Sequence, residues 1–100
     1  VRILERWLAQ RSPEPPEELA RELRASLAAA DEADDRLVDV LTGAGRQRLG
    51  RARARPGRVR ESAFHLLATD ALFSYACEAA LESESPEAAL LRIVEAAAEP

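Results

Sequence analysis

The chain has 100 residues, a length at the mode of single domains, so it reads as one helical domain spanning 1–100. Hydrophobic residues make up 47% and charged residues 32%, the balance of a globular protein rather than a disordered tail. All 14 basic residues are Arg, against 18 acids and a net charge of -4, so chemistry that needs a lysine, such as a Schiff base or a phosphate-loop lysine, is excluded.

Alanine and leucine supply 21 and 14 residues and only 4% of the chain is aromatic, which favours helix packed on helix because Ala and Leu lose least on entering a helix. The first predicted helix, Val1 to about Gln10, sets Ile3, Leu4, Trp7 and Leu8 on one face. Ser12-Pro13-Glu14-Pro15-Pro16 forbids helix and forms a stiff connector. A second helix starts near Pro16, with Glu17 and Glu18 at its positive dipole end. Leu19, Leu23 and Leu27 form its apolar stripe, and Arg21, Glu22 and Arg24 are expected to face water. Five acids crowd 31–39, and a third helix is expected from about Asp34 to Leu49, frayed or kinked at Gly43 and Gly45. Arg55-Pro56-Gly57-Arg58 is a break.

The fourth predicted helix, about Arg58–Glu82, has apolar residues in nearly every direction, the pattern of a helix buried all round. Ser85, Pro86 and Glu87 then read as N-cap, first-turn proline and dipole acid of a last helix burying Ala89, Leu90, Ile93, Val94 and Ala97. No stretch alternates with a period of two. The fold class predicted is therefore all-α, a compact bundle of five helices around the central apolar helix at about Arg58–Glu82. Such a helix needs more cover than four short neighbours readily provide, and a homodimer would supply it.

The strongest compositional feature is a basic island of Arg46, Arg48, Arg51, Arg53, Arg55, Arg58 and Arg60, with no acid among them. Because guanidinium forks onto phosphate, the island is a candidate nucleic-acid surface. The acidic chain as a whole, and the lack of any aromatic between Trp7 and Phe64, favour instead arginines that dock on the protein's own acids. Asp70, Ser74 and Glu78 form a structural polar line on the fourth helix. A carboxylate buried there needs a cation, so at least one island arginine is expected to reach Asp70 or Glu78.

The single His65 and single Cys77 cannot build structural zinc or an intrachain disulfide, and on one helix they lie about 18 Å apart, too far to act as nucleophile and base. Glu61 and His65 share a face, but a third metal ligand is not identifiable. No catalytic residue, metal or cofactor is assigned. Arg60 followed after four residues by His65 resembles the Arg-to-His motif of the HEPN helical nucleases. That resemblance implies an all-α domain that dimerises to set two such motifs at an RNA cleft.

The function expected is that of a small non-catalytic protein acting through helix-mediated association, with itself or with a larger protein. The alternatives are a nucleic-acid-binding module using Arg46–Arg60 and a HEPN-like RNase using Arg60 and His65. No run of about 18 apolar residues occurs and the charged opening stretch is unlike a signal peptide, so no membrane association and a cytoplasmic location are expected.

Overall fold

The computed structural model describes residues 2–11, 14–28, 37–54, 57 and 59–99. Among them are α1 (Arg2–Ala9), α2 (Glu17–Ala28), α3 (Leu37–Ala54), α4 (Val59–Leu81) and α5 (Pro86–Ala98), with no strand. The chain is an all-α bundle. The side chains of Ile3 and Leu4, the acids Asp31, Glu32, Asp34 and Asp35, and the arginines Arg55 and Arg58 lie outside the described residues.

The core is an antiparallel hairpin of α3 and α4. Ser62 Oγ donates to Ala52 O at 3.4 Å, Arg48 lies against His65, and Gly45 lies against Phe73, so the two helices run past each other in opposite directions. Small residues let them approach closely. A Cβ on Gly45 would stand 3.1 Å from a Phe73 ring carbon, tighter than ordinary contact. On α4 the inward face is Ala68, Leu72, Ala76 and Ala80, all at 0% exposure. Leu19, Leu23 and Leu27 of α2 and Ala89 and Ile93 of α5 close the same core.

Four expectations change at this level. The third helix does not stop at Leu49 or break at its glycines, but runs unbroken to Ala54. Leu41, Gly45, Arg48 and Ala52 all face α4, and the packing of that stripe outweighs the propensity cost of the glycines. The fourth helix is not buried all round: Val59, Leu66, Leu67 and Leu81 are exposed on its far side. On α5, Val94 and Ala97 are exposed, because α5 meets the hairpin through Ala89 and Ile93 alone at full burial. Ser85 does precede α5, yet its side chain makes no capping bond and its carbonyl instead accepts from Ala89 N–H at 3.0 Å.

A side-chain latch holds α1. The Trp7 ring is buried, its Nε1–H donates to Glu82 Oε2 at 2.7 Å, and its edge meets Tyr75 at 6.1 Å between centroids. Arg11 covers the other face at 3.9 Å and pairs at 3.3 Å with both Glu78 and Glu82. The Trp7 bond and then Arg11 hold the Glu82 carboxyl below its ordinary range, against some desolvation, while burial and the Glu78 charge raise the Tyr75 hydroxyl.

Two outcomes follow from this packing. Gly45→Val should lower stability by about 1–3 kcal/mol through the clash with Phe73, whereas Gly50→Ala, on open surface in the same helix, should raise it by about 0.5–1 kcal/mol; thermal melts decide both. For Glu82, a lowered folded pKa means stability present above the unfolded value and lost as pH falls through the folded one. The fluorescence of the single Trp, compared between wild type and Glu82→Gln, should therefore differ near neutrality and converge once acid has protonated Glu82.

Candidate functional site

Of the described arginines of the basic island, Arg48 is the one that enters the protein. It follows Leu41 and Gly45 at positions i+7 and i+3, on the stripe of α3 that faces α4, and only 5% of it is exposed. Its Nε donates to Ser26 Oγ at 2.7 Å, Nη1 pairs with Glu22 Oε2 at 2.9 Å, and Nη2 donates to the Glu22 carbonyl at 3.3 Å. Nη1 also lies 3.2 Å from His65 Nδ1. The planar fork thus ties α2, α3 and α4 together, and among the described residues no buried side-chain nitrogen or oxygen is left without a partner.

Among the described residues the cation that meets the polar line is Arg11, which pairs with Glu78, and not an island arginine. Asp70, Ser74 and Glu78 are all exposed, and Asp70 makes no ion pair among the described residues. The expected desolvation never arises, because α4 turns this line to solvent. Arg46 is exposed and pairs with Glu99 at 3.0 Å. Arg51, Arg53 and Arg60 are exposed and make no ion pair among the described residues. Glu22 departs from expectation too: it is drawn half out of water by Arg48.

Arg60 and His65 do line one open cleft, of about 670 Å³, with Glu22, Val59, Glu61 and Phe64. Its chemistry is set by the guanidinium behind the imidazole. A guanidinium only donates, so His65 Nδ1 is the acceptor and the neutral ring carries its proton on Nε2. That nitrogen faces Glu61 Oε1 at 3.8 Å. A general base oriented for proton abstraction has the opposite arrangement, an acceptor at one ring nitrogen and a lone pair free at the other. Among the described residues no three His, Cys, Asp or Glu side chains converge as metal ligands, and no helix is long and apolar enough to cross a membrane.

The outward face of α4 is the remaining feature. Val59, Leu66 and Leu67 are 77%, 49% and 50% exposed, and exposed Ala63 sits among them within two turns. No family model, curated protein or solved structure matches the chain.

The Arg48 network can be weighed by substitution. Arg48→Ala should cost about 2–3 kcal/mol, below the roughly 3–5 kcal/mol of a fully buried pair because water still reaches the Glu22 carboxylate. Arg48→Lys should recover little of that loss, since one ammonium cannot serve Ser26, Glu22 and His65 together. Denaturant unfolding of both variants measures it.

Proposed function

We propose that this protein is a non-catalytic association module that works by pairing with a second copy of itself through the outward face of α4. The observation that carries the reading is the patch of Val59, Ala63, Leu66 and Leu67, apolar and exposed on the helix whose other side builds the core. Burying a leucine that stands half in water contributes on the order of 1 kcal/mol, and a two-fold pair counts each residue twice. A face of this kind, rimmed by charged side chains, is typical of an association surface.

The rival readings draw less support. For nucleic acid the exposed, unpaired cations of the basic island among the described residues are Arg51, Arg53 and Arg60, on a chain of net charge -4. For an RNase resembling the HEPN nucleases, the imidazole of His65 presents a donor where a base needs an acceptor.

Sedimentation velocity provides the test. The wild type should sediment at twice its 10.9 kDa mass as concentration rises, and Leu67→Asp should stay monomeric with unchanged circular dichroism and melting. Leu67 is half exposed, so its replacement spares the core. A wild type that remains monomeric up to millimolar concentration overturns the reading.

A further inference from the structure

The outward face of α4 is polarised along its length. Its first turn holds Arg60, and the hairpin turn sets the last turn of α3, with exposed Arg51 and Arg53, at that same end. The apolar patch follows, then Asp70, and the acids Glu78 and Glu82 stand at the far end. Arg60 and Asp70 are both exposed, both beside the patch, and neither has an ion-pair partner among the described residues. Within one copy they cannot meet, since ten residues of helix separate them by about 15 Å.

We infer that two copies pair antiparallel along α4 about a two-fold axis level with His65, so that Arg60 of each copy meets Asp70 of the other. This rests on the self-association reading and names its geometry. Arg60 and Asp70 lie five residues to either side of His65, about 7.5 Å along the helix, so an antiparallel partner sets them level. The same axis sets the small Ala63 opposite the large Leu67 of the second copy, a fit of knob to gap at the centre of the patch. Each contact forms twice by symmetry, which leaves an apolar centre flanked by two ion pairs. Beyond them, the acidic far end of one α4 faces the end of the other copy that carries Arg51 and Arg53. A parallel pair would instead oppose Arg60 to Arg60 and Asp70 to Asp70, with the helix dipoles aligned. The charges of Arg60 and Asp70, which make no ion pair among the described residues of one chain, neutralise each other between copies.

Charge reversal tests the register. Arg60→Asp and Asp70→Arg should each weaken the dimer about tenfold, because each places like charges at two symmetric positions. The double variant Arg60→Asp with Asp70→Arg should return to within a few-fold of wild type. Both side chains changed are on the surface, so melting temperatures should stay level and separate pairing from folding. If the protein dimerises but the single reversals leave the dissociation constant unchanged, or the double variant fails to rescue, this register is wrong while the association reading stands. If the wild type never dimerises, both fall together.

Discussion

The close approach of α3 to α4 is the constraint on which the rest of the molecule depends. Gly45 sits against the Phe73 ring, where an added Cβ would stand 3.1 Å from a ring carbon, and on α4 the buried face is mostly alanine. Two helices close together in the chain and faced with small residues suit an antiparallel hairpin. The two sides of the hairpin are the seats for α2 and α5, which bury leucines and an isoleucine there. Among the described residues the far side of α4 has no such neighbour. A helix apolar in nearly every direction is thereby divided into a core face and a surface face, and the surface face carries the proposed function.

Arg48 shows how a charge is accommodated in a seam of small side chains. An alanine seam leaves space that a long, thin side chain can fill, and the guanidinium at its end reaches four acceptors on two other helices. The cost of removing the cation from water is offset by the Glu22 carboxylate, which stays partly wet. The same network fixes the His65 tautomer, so a structural arginine determines what the cleft beside it can do chemically. At the opposite end of α4 the Trp7 and Arg11 latch combines a cation, an aromatic face and two acids to fasten a helix of only 8 residues.

How much of this is legible in the sequence depends on how local each feature is. The second helix begins just after Pro16 and the last one at Pro86, where proline suits a first turn, and the stripe Leu19, Leu23, Leu27 becomes the buried face of α2. The position of Arg48 on the inward stripe of α3 also stands in the spacing Leu41, Gly45, Arg48, Ala52, though composition alone groups it with its exposed neighbours. Trp7, Arg11 and Glu82 carry no such signal, because their partners are some 70 residues apart in the chain.

By itself the sequence determined the all-α class, the number and order of the helices and which residues could be apolar faces, since periodicity and helix breaking are properties of neighbouring residues. Only the tertiary structure decided which apolar face of α4 is buried, which of the arginines is internal and which acid each one meets. Those choices turn on long-range contacts: the room at Gly45, the depth of the alanine seam and the reach of one guanidinium. A pattern with a period of 3.6 residues tells where a face is, and the partner helix tells whether it is covered.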